Sequence, residues 1–289
     1  STPSATPTST ATATATNTAT ATATATVTAT ATATVTATAT FTPVVTPTPT
    51  PGAGPIASYN FNEGTGPTIT DASGHGITGT LQGATWTTGG KNGNALSFNG
   101  SSSFVDLGNP ALLQITGSMT WSAWIKAAAN PPDDGQVVAK SDGTSGWQFK
   151  TSPDTGPHTF GVAVSSAPNS TTQRYSTTTR SLNVWYHVAG VYDATARTLD
   201  IYVNAVRDNG VLIGTVPASQ VNSAVNVNIG RRTGGFYFNG IIDDLRIYNR
   251  ALNQGEIQSD MNSPVGGSVA TPTATATSTA TATATATPT

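Results

Sequence analysis

Beyond its aspartates, the 289-residue sequence offers two glutamates, three histidines and no cysteine to acid–base, metal or nucleophilic chemistry. Cleaving a glycosidic bond needs two carboxylates facing each other across it, one to donate a proton and one to attack or to activate water. Glu63 sits in a Gly-bounded turn and Glu256 at a helix start, and no Glu-x-Asp-x-x-Glu arrangement occurs. Asp133, Asp134 and Asp142 fall in PPDDG and SDG, where Asp beside Pro and Gly reads as a solvated turn former. His75 and His158 lie in loops, whereas His187 alternates within WYHVAGVY as a packed strand residue. With no Cys and no His-x-x-x-His spacing a zinc site has no ligands, and no Gly-rich phosphate loop opens a helix. The sequence therefore reads as that of a non-enzyme.

One carboxylate stands apart. In GIIDDLRIY, Asp243 shares odd numbering with Ile241, Leu245 and Ile247, so strict alternation places it on the apolar face of a strand. A buried charge must meet a cation or several donors. A hard cation, an arginine (Arg246 or Arg250) or converging backbone N–H groups would each serve.

These residues are carried by a chain that divides by composition. The net charge of −2 gives no attraction to nucleic acid. The first charged residue is Glu63 and the last Asp260, leaving both flanks uncharged. No apolar run approaches the ~20 residues of a membrane span. The expected organisation is an arm and linker over 1–54, a globular domain over 55–262 and a second arm over 263–289. Every even position from Thr10 to Thr42 is Thr, mostly alternating with Ala, and every odd position from Thr271 to Thr289 is Thr. Such a period of two favours extended backbone with hydroxyls on one side and methyls on the other. Ala methyls alone bury too little to order a lone strand of this length. A passive linker is one reading. Another is a stalk straightened by O-glycosylation of Thr20, Thr22, Thr24, Thr26, Thr28, Thr30, Thr32, Thr34, Thr36, Thr38 and Thr40. A third is strand pairing between copies of the chain, which would build a homopolymer.

Within the domain, helical periodicity is nearly absent. TLDIYVN and VNVNIG alternate apolar and polar residues as half-buried strands do, and Asn-Gly pairs at 92–93, 99–100, 209–210 and 239–240 predict tight turns. One helix closes the domain, with Asn253 as cap, Glu256 three residues on, and Leu252 and Ile257 as a hydrophobic staple. The fold class is all-β: a two-sheet antiparallel jelly-roll sandwich with one short C-terminal helix, flanked by extended Ala/Thr arms.

YNFNEGTGPTITDASGHGITGTL, ALSFNGSSSFVDLG, MTWSAWIK, WYHVAGVYDATARTLDIYVNAV and NIGRRTGGFYFNGIIDDLRIYNRALNQGEI resemble, in order, the signature segments of laminin-G-like, concanavalin-A-like jelly-roll domains of bacterial surface proteins. The resemblance spans nearly all of Ile56 to Met261. It implies two antiparallel sheets, one concave, with the first and last strands paired. It also implies a structural calcium near where those strands meet, with Asp243 at the position resembling a ligand and Asp71, in DASGHG, as a second. Domains of this kind bind glycans by stacking sugars on exposed aromatics, and Trp147, Tyr175, Phe236 and Tyr237 lie in or beside loop-like stretches. One departure is Asn204-Ala205, where the family usually has Asn-Gly, which bears on the turn there. The sequence thus points to a non-catalytic extracellular protein, at the cell surface or in a secreted fibre, with an adhesive head on Thr-rich arms. The rival reading is a carbohydrate-binding module on a passive stalk, accessory to a larger secreted enzyme.

Overall fold

The computed structural model describes residues 54–131, 133–152 and 157–267. The arms, with their expected glycosylation sites and strand pairing, lie outside the described residues. In chain order the strands are β1 (Ala57–Tyr59), β2 (Thr68–Ile69), β3 (Gly79–Gln82), β4 (Thr85–Thr87), β5 (Ala95–Asn99), β6 (Phe104–Asp106), β7 (Met119–Ala127), β8 (Gln136–Ser141) and β9 (Gly146–Thr151). They continue with β10 (Phe160–Ala167), β11 (Ser170–Ser176), β12 (Tyr186–Asp193), β13 (Thr198–Val203), β14 (Val206–Arg207), β15 (Asn209–Ile213), β16 (Asn228–Ile229) and β17 (Asn239–Tyr248), and helix α1 (Gln254–Asn262) follows.

The strands form two antiparallel sheets. An eight-stranded sheet runs β14-β13-β12-β7-β17-β5-β4, with β1 also paired to β17, and a nine-stranded sheet runs β15-β11-β10-β9-β8-β16-β6-β3-β2. First and last strands are paired as the resemblance implies, Ala57 opposite Ile247 and Tyr59 opposite Leu245.

Alternation builds the core between the sheets. Trp121 on β7 and Trp147 on β9 are both fully buried and meet at 5.9 Å between ring centroids, tilted by 54°. Leu199, Ile201 and Val203 face the same interior, as their period of two requires. Between the sheets the sequence supplies Gly190: a methyl there would stand 2.3 Å from Val162 Cγ1 and 3.1 Å from the Trp121 ring.

Helix α1 covers the outside of the eight-stranded sheet. Asn253 accepts from the Glu256 N–H while the Glu256 carboxylate accepts from the Asn253 N–H, completing the expected capping box. Ile257, Leu252, Tyr248 and Ala205 form a second apolar cluster beneath the helix. Ala205 explains the departure at the β13–β14 turn. Val203 pairs with Val206, and Asn204 and Ala205 both take positive φ, 50° and 62°, so the tight turn forms without glycine. The Ala205 methyl is buried in the cluster and its carbonyl accepts from the Gln254 side chain, which offsets the strain.

Two of the four Asn-Gly pairs are not turns. Asn209-Gly210 opens β15 and Asn239-Gly240 opens β17. There glycine serves close approach: a methyl on Gly240 would lie 2.2 Å from the Lys126 carbonyl oxygen, and one on Gly210 2.6 Å from that of Ser176. VNVNIG likewise gives a strand only at Asn228–Ile229.

Replacing Gly190 by Ala forces Val162 or Trp121 out of position, and such overpacking costs about 1–3 kcal/mol. Urea unfolding of Gly190→Ala is expected to show a lowered midpoint with unchanged slope.

Candidate functional site

The alternation that buries Trp147 and Phe149 turns Gln148 and Lys150 to the outside of the nine-stranded sheet. Neighbouring strands add small residues to that face. Ala139 lies opposite Gln148 on one side, Ala163 on the other, and Gly161 opposite Lys150. Across β11, Tyr175 pairs with Gly161 and Gln173 with Ala163. A methyl on Gly161 would stand 2.9 Å from the Tyr175 ring and 3.4 Å from Lys150 Cε. Glycine here lets an aromatic ring and a lysine stem lie across the strand.

The face is polar yet closed to solvent. Gln136, Gln148 and Lys150 are 0%, 6% and 3% exposed. Gln136 Nε2 donates to Gln148 Oε1 at 3.0 Å, and Gln148 Nε2 to Ser141 Oγ at 3.3 Å. Lys150 Nζ donates to Asp134 Oδ2 at 2.5 Å and to Gln173 Oε1 at 2.7 Å, which also accepts from the Tyr175 hydroxyl at 2.8 Å. Burial pushes the Asp134 carboxyl up and the Lys150 ammonium down, and their contact opposes both. Burial, with Asp134 and Asp133 nearby, also raises the Tyr175 phenol, so it stays an O–H donor.

The segment after β16 supplies the rim. The Arg232 guanidinium lies 3.6 Å from the Phe236 ring centroid, and Arg231 lies 3.4 Å from Phe104. Phe236 holds a φ of 62° beside Gly234 and Gly235, a conformation costly for a non-glycine residue. Half-buried Phe236 and Tyr237, with Gly100, Ser101, Pro131, Asp133 and Asp134, line a groove of about 300 Å³. Tyr175, Phe236 and Tyr237 are therefore linked to one surface through Asp134 and Lys150. Trp147 is not: Gly146 already begins β9, so Trp147 is a strand residue whose parity points it into the core, 0% exposed. Gln136, Gln148, Lys150 and Gln173, absent from the sequence-based candidates, were legible only as the polar half of alternating strands, and Arg232 only as a charge in the NIGRRTGG loop.

The two expected calcium ligands stand elsewhere, in settings that do not suit a cation. β17 carries a bulge: Asp243 pairs with Trp124, but Arg246 pairs with Ser122, so one extra residue intervenes, and Asp244 takes φ 48°. Parity flips across it. Ile242, Leu245 and Ile247 enter the core, whereas Ile241 does not, so the odd-number argument for Asp243 fails at the bulge. Asp243 is nonetheless fully buried. Its Oδ2 accepts from the N–H groups of Lys91 and Asn92, both at 2.8 Å, and its Oδ1 from the Asp244 N–H at 2.8 Å. Asp71 Oδ1 accepts from Ser58 and Ser73 N–H groups, and Oδ2 from Ile77 N–H and the Ser73 hydroxyl. Burial alone would raise the Asp71 carboxyl, but these donors hold it below the usual range. N–H groups repel a cation, the two carboxylates share no partner, and among the described residues no three His, Cys, Asp or Glu gather as a metal set. Asp71 and Asp243 fit loop clamps rather than calcium ligands.

Under α1 a serine, a histidine and an aspartate also meet. Ser122 Oγ lies 3.2 Å from His187 Nε2, but Asp260 engages Ser122 and Tyr248 rather than His187 Nδ1. Burial, reinforced by Arg246, pushes His187 down to about 3, and all of Ser122 is buried, so no substrate reaches it. Glu63 Oε1 accepts from the Thr70 N–H, and Glu256 serves the helix cap and pairs with Arg250. A larger groove, about 660 Å³, lies beside β17 and α1, where the described chain enters at Gly54 and leaves at Gly267.

A family model described as the concanavalin A-like lectin/glucanases superfamily matches residues 98–258. The chain belongs to this superfamily. No curated protein matches it as a relative. Among solved structures, domain 4 of AbnA, a GH43 extracellular arabinanase from Geobacillus stearothermophilus in complex with arabinotriose, is similar with a TM-score of 0.57 at 20% identity. That match covers 72% of this chain and 98% of the other. The binding domain of Paraclostridial Mosquitocidal Protein 1 matches with a TM-score of 0.57 at 14% identity over 72% of this chain. The botulinum neurotoxin serotype G binding domain matches with a TM-score of 0.56 at 14% identity, again over 72%. This concanavalin A-like chain spans about half the length of those toxin binding domains, 52% and 50%. At these identities the likeness is one of fold.

Asp243→Asn places a donor where three N–H groups converge, and leaving buried donors unpaired costs about 1–3 kcal/mol. Burial lifts the folded carboxyl from 3.8 to about 7, so its contribution to stability is greatest below 3.8 and is lost as pH rises through 7. The stability gap between the native chain and Asp243→Asn, from denaturant unfolding, is therefore expected to widen as pH falls from 7 towards 4. A chelator is expected to leave the native melting temperature unchanged.

Proposed function

We propose that this domain is a non-catalytic glycan-binding head, using the outer face of the nine-stranded sheet, and that the Thr-rich arms carry it outside the cell. The observation that carries this reading is the closed polar floor Gln136–Gln148–Lys150–Gln173 with Tyr175 laid over Gly161. Burying amides and an ammonium on an outer sheet face costs desolvation that their mutual hydrogen bonds offset, and the network fixes the Tyr175 hydroxyl on Gln173 so that the ring is held in place for a ligand. A sugar matches such a face: its C–H side stacks on an aromatic ring while its hydroxyls exchange hydrogen bonds with amides and carboxylates. Superfamily membership and the fold shared with an arabinotriose-bound domain support a glycan over other ligands. The capping role of Glu256 and the closed Ser122–His187 pair support binding without catalysis.

The attachment points are consistent with a head. Gly54 and Gly267, where the described chain begins and ends, line one groove beside β17, on the other sheet. As a glycosylated stalk the arms would project that face from the cell.

Binding of the full chain to an array of neutral and acidic polysaccharides tests the proposal. Tyr175→Ala is expected to weaken binding about tenfold, the equivalent of ~1.4 kcal/mol, with little change in melting temperature. Trp147→Ala is expected to lower the melting temperature sharply, since deleting a core tryptophan costs about 3–5 kcal/mol. No binding to any polysaccharide, or equal binding by Tyr175→Ala, overturns the reading.

A further inference from the structure

The groove walled by Phe236 and Tyr237 carries a one-sided set of polar groups. Among the described residues, the charged side chains that line it are those of Asp133 and Asp134. Asp133 is exposed, and its Oδ1 accepts from the Asp134 N–H at 2.6 Å. Asp134 Oδ2 is committed to Lys150 Nζ, whereas Asp134 Oδ1 is buried and accepts from no donor among the described residues. Gln136 bridges to Tyr237 in the groove wall and is fully buried. Its Nε2 is engaged by Gln148, and its Oε1 likewise has no donor. The guanidiniums of Arg231 and Arg232 lie over Phe104 and Phe236, and neither residue lines the groove, although Arg232 Nε lacks an acceptor.

Each part of this arrangement asks for the same kind of group. Buried acceptors left without donors are costly, and a ligand that brings donors relieves them. A cavity lined by carboxylates and no cation attracts positive charge. Aromatic walls add to that attraction, and they also stack the C–H face of a ring. An ammonium answers all three demands, because it is positive and carries three N–H donors and no acceptor. A hydroxyl brings one donor together with lone pairs of its own, an acetamido group brings a carbonyl, and a uronate brings a like charge. The cavity of about 300 Å³ lies at the small end of ligand pockets, suited to a single sugar ring.

We propose that the groove between Asp133, Asp134, Phe236 and Tyr237 takes the ammonium-bearing ring of an amino sugar, so that the glycan held by this face is one with free amino groups. This rests on the glycan reading of the same face and names its substrate class. The ammonium lies against Asp133 and the unengaged oxygen of Asp134, and the C–H side of the ring lies against the aromatic wall. A lysine side chain offers the same ammonium without a flat ring to stack, which favours a sugar over a basic peptide.

Calorimetry of the full chain with oligomers of glucosamine, N-acetylglucosamine and glucose, matched in length and linkage, tests this. The glucosamine oligomer is expected to bind about tenfold more tightly than the other two, as a charge-assisted hydrogen bond would give. That preference is expected to shrink as salt is added. Asp133→Asn removes the exposed charge and keeps the oxygen that accepts from the Asp134 N–H, so it is expected to erase the preference with an unchanged melting temperature. Equal or tighter binding of the N-acetylated or glucose oligomer, a preference that survives Asp133→Asn, or oligolysine binding as tightly as the glucosamine oligomer each overturns the proposal. The first of these leaves the glycan reading standing. So does binding to none of the three oligomers when another polysaccharide on the array binds, which overturns the amino-sugar assignment alone. Silence across the whole array overturns both.

Discussion

The packing of one sheet on the other through Trp121 and Trp147 decides what every other residue of the domain is free to do. In a strand, commitment of one side chain to the core commits its two neighbours to the opposite face. Trp147 and Phe149 are held inside by that contact, and Gln148 and Lys150 are consequently presented outside. The polar floor is thus the reverse side of the hydrophobic core, and no separate loop machinery is required to aim it. The same constraint runs through β10, where Phe160, Val162 and Val164 face inward and leave Gly161, Ala163 and Ser165 as a low surface for Tyr175 to cross.

Alternation holds only while the register is unbroken, and β17 shows where it ends. An extra residue after Asp243 changes which side chains face the core, and Asp243 and Asp244 remain buried because the loop at Lys91–Asn92 and the tail at Val265 are folded onto them. A carboxylate among converging N–H groups acts as a connector between chain segments far apart in sequence. The bulge fastens the last strand to the Lys91–Asn92 loop and to the chain at Val265, which gives both buried acids hydrogen-bond partners.

Much of this was legible in the residues. The alternation in TLDIYVN gave a strand with Leu199, Ile201 and Val203 inward, and Asn253 with Glu256 gave the helix cap, because both signals are local and repeat a fixed geometry. His187 was legible as a packed residue for the same reason. What failed depended on register or on distant backbone. The extra residue in β17 has no local signature, Asn209-Gly210 and Asn239-Gly240 needed glycine for closeness to another strand instead of for a turn, and Trp147 sat one residue inside a strand whose start was hidden by the preceding Gly-rich turn. At the candidate site the aromatics Tyr175, Phe236 and Tyr237 could be suspected from their loops, but the glutamines and Lys150 between them could not, since polar residues on alternating strands look the same whether solvated or sealed beneath a ring.

The two sheets are consequently not equivalent in what they can offer. The eight-stranded sheet has its outside occupied: Tyr202, Tyr248, Ile257 and Leu252 form an apolar layer with α1, and Gly54 and Gly267 sit beside its last strand. Two of its polar groups, the hydroxyls of Ser122 and Tyr248, engage Asp260 of that helix. On the nine-stranded sheet Gln148 is buried while Gln173 and Tyr175 stay half-buried, and the terminal strand carries exposed Val211 and Ile213. A face that is polar at its centre, aromatic at its rim and apolar at its open edge is suited to recognition, because each region answers a different part of a ligand or partner. The asymmetry follows from where the sequence placed its helix, its bulge and its uncharged edge strand.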